Sequence, residues 1–173
     1  ATGDVSGAIA IVDAWIKRHP KDFKGMLPLA QLYIRFGKYK EAVPLFEGIS
    51  NQAPQNALVL NNLAWLYSQT GDSRAIATAE RAHQLAPSSG AISDTYGWLL
   101  VGAGEFDRGI ALLREASEFS DGNLEIQLHL ASALVKKGGN QQEAKTIVES
   151  LVSSGKLGKN TELLRLQKEL GLI

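Results

Sequence analysis

The residues most able to carry out chemistry are few and scattered. The three histidines, His19, His83 and His129, lie far apart along the chain, which predicts no histidine metal cluster. Cysteine is absent, and this excludes disulfides, thiolate metal sites and thiol catalysis. No Gly-x-Ser-x-Gly sequence marks a nucleophilic serine, and no glycine-rich loop follows a predicted strand. A Ser-His-Asp arrangement assembled by folding is left open, because it depends on geometry. We therefore predict no enzyme activity, no metal and no cofactor.

The overall charge of the chain is neutral. Its 173 residues include 18 Lys+Arg and 18 Asp+Glu, and 45% of them are hydrophobic. Proteins that neutralise phosphates usually have a basic domain, so nucleic-acid partners, including those of RNA-reading helical repeats, are disfavoured. No apolar run reaches the roughly 18 residues of a membrane-spanning helix, which predicts no direct membrane insertion. This composition predicts a folded core rather than disorder.

Glycines recur with a period of 33 or 34 residues, at Gly37, Gly71, Gly104 and Gly138. A small residue stands seven positions before each of these glycines, and a large one stands eight positions before it. Another small residue follows each glycine by four to six positions. Self-similarity at such a period is typical of stacked supersecondary units.

Each unit is predicted to be a pair of amphipathic helices. The glycine ends the first helix in a left-handed conformation, and a proline such as Pro54 or Pro87 ends the second. The small residues let the two helices approach closely where they cross. The unit that contains Gly71 has one residue fewer after its glycine than the unit that contains Gly37. Its second helix is therefore expected to start early. Because one pair cannot bury its apolar faces alone, neighbouring pairs must stack.

This pattern resembles the tetratricopeptide repeat (TPR). The match is best over residues 23–56, where the family's expected positions hold Leu29, Ala30, Tyr33, Gly37, Tyr39, Ala42, Phe46 and Pro54. The resemblance implies an all-α fold, a right-handed superhelical solenoid of antiparallel helix pairs with about four full repeats. The corresponding TPR units are residues 23–56, 57–89, 90–123 and 124–152.

The two ends of the chain are expected to differ from the full repeats. Residues 1–22 resemble the second helix of a truncated leading repeat, so we interpret the sequence as the C-terminal piece of a longer array. The open N-terminal end of such an array could support weak self-association. Residues 153–173 are predicted to form a loop and a C-terminal capping helix, with Asn160 as its N-cap and Gly171 as its stop.

The resemblance also implies a concave groove, lined by the first helix of each pair, that binds a peptide or protein segment. The matching positions of this sequence give the candidate residues Gln31, Asn61, Asn62, Trp65, Asp94, Trp98 and His129. Lys24, Arg35 and Lys136 fall at the margins of this groove and are not expected to converge. The carboxylate clamp of the chaperone-binding family members is therefore not expected here.

Each candidate type also has a plainer interpretation. The two tryptophans could form a stacking surface for a ligand, or their rings could pack between helices as core. The two asparagines could bind an extended backbone through their carboxamides, or could bond to a neighbouring helix. The aspartate and the histidine could add polarity to the groove, or could simply be solvated. The sequence leaves these alternatives open.

Residues 60–67, 79–82 and 94–98 carry a narrower resemblance. They are similar to the C-terminal repeats of bacterial TPR lipoproteins of the PEP-CTERM/exosortase system, which accompany exopolysaccharide export and protein sorting. This resemblance would imply a periplasmic or cell-envelope location, and a cytoplasmic one is expected otherwise. The predicted function is a non-catalytic protein-interaction scaffold. The alternative is a structural spacer or self-association segment of a larger TPR protein.

Overall fold

The computed structural model describes residues 7, 10, 11, 14, 18, 23–139, 141–156, 158 and 160–173. Regular structure within these residues is entirely helical. The chain forms two compact units, residues 1–85 and residues 86–173. Most of the predicted leading half-repeat, residues 1–22, lies outside the described residues, and so does the open end predicted to self-associate. The five described residues of that segment are helical.

The first unit contains two helix pairs. Helices α1 (Phe23–Arg35) and α2 (Tyr39–Gln52) form the first pair, and α3 (Ala57–Thr70) and α4 (Ala75–Leu85) form the second. Each helix packs against the next one along the chain, so that α2 contacts both its own partner and α3. Because α2 packs against helices of both pairs, the second pair stacks on the first.

The second unit repeats this arrangement and adds one helix. Its pairs are α5 (Gly90–Gly102) with α6 (Phe106–Phe119), and α7 (Leu124–Lys137) with α8 (Gln141–Ser154). The last helix, α9 (Thr161–Glu169), packs against α7 and α8. The predicted all-α architecture of successive helix pairs is confirmed, whereas the division into individual repeats at the stated boundaries stays a prediction.

The recurring glycines have the predicted left-handed backbone. Their φ angles are 67° at Gly37, 72° at Gly71, 85° at Gly104 and 68° at Gly138. After Gly71, for example, the N–H of Asp72 donates to the carbonyl oxygen of a residue five positions earlier at 2.8 Å, as in a Schellman cap. These caps end the first helices and turn the chain back for the second.

The prediction that the helix after Gly71 starts early is wrong. Helix α4 begins at Ala75, four residues after the glycine, whereas α2 begins two residues after Gly37. The reason is a local turn, in which the Asp72 carboxylate accepts a hydrogen bond from the backbone N–H of Arg74 at 2.9 Å. Aspartate commonly stabilises such turns by bonding the backbone two residues on.

The small residues lie at the helix crossings, as predicted. Ala30, Ala64 and Ala131 are fully or almost fully buried. At the α5–α6 crossing both small residues are glycines, and a Cβ atom on Gly97 would lie 2.8 Å from the carbonyl oxygen of Gly109. Close backbone approach therefore fixes how α5 packs on α6.

Helix α9 covers the end of the second unit's core. The side chain of Asn160 accepts a hydrogen bond from the backbone N–H of Leu163 at 3.0 Å, and Gly171 has a φ of 67°. One apolar face of this segment, formed by Leu163, Leu166 and Leu170, is buried in the core of the second unit. This face completes the apolar packing around α7 and α8.

Candidate functional site

The seven candidate residues all lie on the first helices of successive pairs. Helix α1 carries Gln31, α3 carries Asn61, Asn62 and Trp65, α5 carries Asp94 and Trp98, and α7 carries His129. Three of them, all in the second unit, are joined by direct contacts, because both Asp94 and Trp98 contact His129. The groove that the resemblance implied stays a prediction, but the local geometry around these three is well defined.

Asp94 and His129 form a hydrogen-bonded pair that joins α5 to α7. The Nδ1 atom of His129 lies 2.8 Å and 3.0 Å from the two carboxylate oxygens of Asp94. Because a carboxylate can only accept, Nδ1 donates, and the pair fixes the orientation of the imidazole. The side chain of Asp94 is 15% exposed and that of His129 is 34% exposed. The alternative of two simply solvated side chains therefore does not describe them.

Trp98 lies beside this pair and is partly buried. Its indole stacks on the imidazole of His129, with ring centroids 4.5 Å apart and an interplanar angle of 16°. The Nζ atom of Lys136 lies 4.5 Å from the centroid of the indole ring. The ring also packs against the core of the second unit. One part of the Trp98 ring thus packs against the core, and another part contacts polar side chains. Both interpretations of the tryptophans that the sequence left open therefore apply to this residue in part.

Lys136, which the sequence analysis placed at the margin of the groove, lies against the candidate residue Trp98. Lys136 and His129 are seven positions apart on α7, and two helical turns bring such residues onto the same face. That spacing was visible in the sequence, but the contact depends on where α5 places Trp98. We refer to Asp94, Trp98, His129 and Lys136 as the indole cluster.

Helix α9 adds a carboxylate to the same face of α7. The fully buried hydroxyl of Ser132 donates to Glu162 Oε1 at 2.7 Å. Arg165 donates to both oxygens of Glu162, at 2.9 Å from Nε and 2.6 Å from Nη2. The hydrogen bonds from Arg165 and Ser132, together with the charge of Lys136, lower the pKa of Glu162 to about 2 against the opposing effect of partial burial. The sequence analysis did not identify this carboxylate.

In the first unit the candidates form a looser set. The partly buried indole of Trp65 meets the ring of Tyr39 edge to face, with centroids 5.2 Å apart and an interplanar angle of 83°. The side chains of Gln31 and Asn62 are exposed. The Oδ1 atom of Asn61 is buried and has no hydrogen-bond partner within the described part of the chain. The interpretation that the asparagines form hydrogen bonds to a neighbouring helix therefore does not hold for this oxygen.

These residues offer groups that suit non-covalent binding. The indole offers apolar area, Lys136 offers an ammonium group, and the carboxamides offer both donors and acceptors. Within the described residues, no three His, Asp or Glu side chains are placed to hold a metal ion. Nor is any helix among them both long and apolar enough to cross a lipid bilayer.

A family model matches the N-terminal part of the chain. Residues 1–66 match a family model described as tetratricopeptide repeat. Comparison of the sequence with curated proteins gives no match.

Several solved structures have a similar fold. A thermophilic TPR protein of Thermus thermophilus is 20% identical, with a TM-score of 0.75 over 99% of this chain and 92% of that chain. A TPR protein from Parabacteroides merdae is 19% identical, with a TM-score of 0.77 over 98% of this chain and 68% of that one. YrrB, described as a TPR protein with an unusual peptide-binding site, is 16% identical, with a TM-score of 0.72 over 95% and 84%. At these identities the likeness establishes the fold.

Proposed function

Since residues 1–66 match the tetratricopeptide repeat family and the chain has the fold of TPR proteins, we propose that it is a non-catalytic scaffold that binds a peptide or protein segment. Within a unit, the segment would lie along the first helices of the pairs. The observation that supports this proposal is the indole cluster, in which a partly exposed aromatic ring, an ammonium group and an oriented imidazole occupy one surface.

The indole cluster suits a segment that carries both apolar and polar groups. Tryptophan contributes disproportionately to binding energy at interfaces, because it buries a large area with little loss of side-chain freedom. His129 is already held by Asp94, so little ordering is needed before it meets a ligand. Lys136 donates to carbonyl or carboxylate oxygens.

The first unit offers a separate surface for backbone recognition. The exposed carboxamide of Asn62 can donate to a peptide carbonyl and accept from a peptide N–H at the same time. Because an extended segment loses conformational freedom on binding and few anchors are available, micromolar affinity is expected. The description of YrrB as a peptide-binding TPR protein supports the class of ligand.

The test uses a peptide selected from a random display library against the full chain. The affinity of a peptide that binds the second unit, measured by fluorescence anisotropy, is expected to fall roughly tenfold or more in Trp98→Ala, and that of a peptide that binds the first unit is expected to fall as much in Asn62→Ala. Phe119→Ala is the matched control, because Phe119 is a large exposed aromatic residue on a second helix, α6. If selected peptides bind both variants as tightly as the original protein, the first-helix surface is not the binding site.

We further propose that the partner belongs to a system of exopolysaccharide export and protein sorting at the bacterial cell envelope. This proposal rests on the resemblance of residues 60–67, 79–82 and 94–98 to TPR lipoproteins of the PEP-CTERM/exosortase system. It predicts that deleting the gene reduces secreted exopolysaccharide and that the protein fractionates with the envelope. A deletion strain with unchanged exopolysaccharide and unchanged protein sorting contradicts it.

A further inference from the structure

A cleft of about 540 Å³ lies in the first unit, on the side of α3 away from the candidate residues. Its floor is formed by Leu60, Leu63 and Tyr67. Because successive helical residues are about 100° apart, these three share one face of α3, and Asn62 and Trp65 project from the opposite face. The cleft is therefore separate from the surface assigned to the proposed function.

The two walls of the cleft carry mostly polar side chains at helical spacing. One wall belongs to α2, and the other runs from the residue before α4 along that helix. On the first wall two residues lie three and four positions after Glu47, and on the second wall two lie four and seven positions after Arg74, so that each set lines the cleft from one side of its helix. They are Glu47, Ser50 and Asn51 on the first wall, and Arg74, Thr78 and Arg81 on the second.

One end of the cleft is closed by an internally satisfied ionic network. The Tyr67 hydroxyl donates to Glu47 Oε1 at 2.8 Å, and Arg74 Nη1 lies 2.8 Å from the same oxygen. Arg74 Nη2 pairs with Asp72 at 2.7 Å, and its guanidinium lies 4.2 Å from the centre of the Tyr67 ring. The charge of Arg74 is thus balanced by two carboxylates of the protein itself.

The other end of the cleft has an uncompensated cation. Arg81 Nη2 donates to the backbone carbonyl oxygen of Pro54 at 2.7 Å, which holds the guanidinium in place. In the part of the chain that the structure describes, Arg81 forms no ion pair. The guanidinium has five N–H donors, so the single bond to Pro54 leaves an edge that can bind a carboxylate through two bonds.

The neighbouring polar side chains are also unused. Among the described residues, the hydroxyls of Ser50 and Thr78 and the amide of Asn51 form no side-chain hydrogen bond. All three can donate, so together with Arg81 they complement a ligand rich in oxygen acceptors. Carboxylates and peptide carbonyls are such acceptors, and a carboxylate also balances the charge of Arg81.

We propose that this cleft binds an extended, acidic segment of a partner protein, with a Glu or Asp carboxylate on Arg81. The floor from Leu60 to Tyr67 spans about 10 Å at 1.5 Å per residue, the length of about three extended residues. A volume of about 540 Å³ is typical of a ligand-binding cleft. Glu47 repels a second carboxylate at the closed end, so the acidic side chain is favoured at the Arg81 end. This second binding surface goes beyond the proposed function and does not depend on it.

The test is an NMR titration of the ¹⁵N-labelled full chain with acetylated, amidated hexaglutamate. The backbone amide signals of Ser50, Thr78 and Arg81 are expected to shift, and hexaglutamine is expected to leave them unchanged. Arg81→Gln should raise the apparent Kd roughly tenfold, because it removes a charge-assisted pair. Lys40→Gln, which removes an exposed cation of α2 outside the cleft, is the matched control and should leave the Kd unchanged.

Three results would overturn the proposal. The absence of shifts at the cleft means that no acidic segment binds there. Equal weakening by Lys40→Gln means that hexaglutamate binds the cationic surface without a specific site. Binding of glutarate as tight as that of hexaglutamate means that the cleft takes a free carboxylate instead of a peptide segment. Trp98→Ala should leave the titration unchanged, which separates this cleft from the proposed first-helix surface.

Discussion

The imidazole of His129 lies nearly parallel to the indole of Trp98, at a centroid distance of 4.5 Å. The two residues are 31 positions apart in the sequence and belong to different helix pairs. Their contact therefore ties α5 to α7 and places the binding candidates of the second unit on a surface that is already ordered. Ordering before binding lowers the entropic cost of capturing a ligand.

A double-mutant cycle should detect this contact in the free energy of unfolding. We expect Trp98→Ala and His129→Ala to show a coupling of about 0.5–1.5 kcal/mol, the usual value for stacked rings. Urea denaturation of the two single variants and the double variant measures it. Trp98→Phe should keep much of the coupling, because it retains an aromatic face. Strictly additive effects of the two alanine variants would mean that the stack contributes nothing to stability.

Substitution of Gly97 by alanine should destabilise the second unit. The added Cβ would lie 2.8 Å from the backbone oxygen of Gly109 and 3.0 Å from a side-chain atom of Leu113, so α5 and α6 must separate. Overpacking of this kind costs about 1–3 kcal/mol, measurable as a lower urea midpoint.

Gly102→Ala is the matched control on the same helix. A Cβ there meets no atom of the described residues within 4 Å, and alanine favours the helix by up to about 1 kcal/mol. The control variant should therefore be as stable as the original protein or more stable. Equal effects of the two substitutions would mean that helix propensity, and not the crossing, decides the result.

The protein should lose stability in acid through Glu162. Hydrogen bonds from Arg165 hold the pKa of Glu162 at about 2, below its ordinary value of 4.5. Because the folded-state pKa is the lower one, the stabilisation is complete above about pH 4.5 and is lost as the pH falls towards 2. In Glu162→Gln this part of the pH dependence should disappear from urea denaturation measured across that range.

Ser132→Ala provides the comparison for Glu162. It removes the hydrogen bond from Ser132 and leaves the bonds from Arg165, which are the larger cause of the lowered pKa. Most of the acid dependence should therefore remain in this variant. A pH dependence that is the same in Glu162→Gln as in the original protein would contradict the assignment to Glu162.

In each unit an ion pair joins neighbouring second helices. The basic residue comes first along the chain in the second unit, and the acidic residue comes first in the first unit. In the second unit Arg114 on α6 binds Glu143 on α8 through two bonds of 3.0 Å and 2.7 Å, whereas in the first unit Glu47 on α2 pairs with Arg74 beside α4. Arg114→Glu should cost about 0.5–1 kcal/mol, and adding Glu143→Arg should restore most of the loss. Urea midpoints of the single and double variants test this, and a double variant less stable than the single one would refute it.

Local features could be predicted from the sequence because they depend on residues close together in the chain. The period of the glycines, their left-handed caps and the small residues at the crossings follow from backbone sterics and helical periodicity. The late start of α4 was missed, although it is also local, because the Asp72 turn competes with the first turn of the helix.

Contacts between side chains of different helices were decided by the tertiary structure. The sequence placed Asp94, Trp98 and His129 on first helices, but only the packing of α5 against α7 set the distances between them and brought Lys136 to the indole. The same holds for the cleft, where Arg81 has no carboxylate partner among the described residues and Arg74 has two. Helical periodicity fixes the face from which a side chain projects, whereas its partner depends on helix separation and rotamer, which neighbouring residues do not determine.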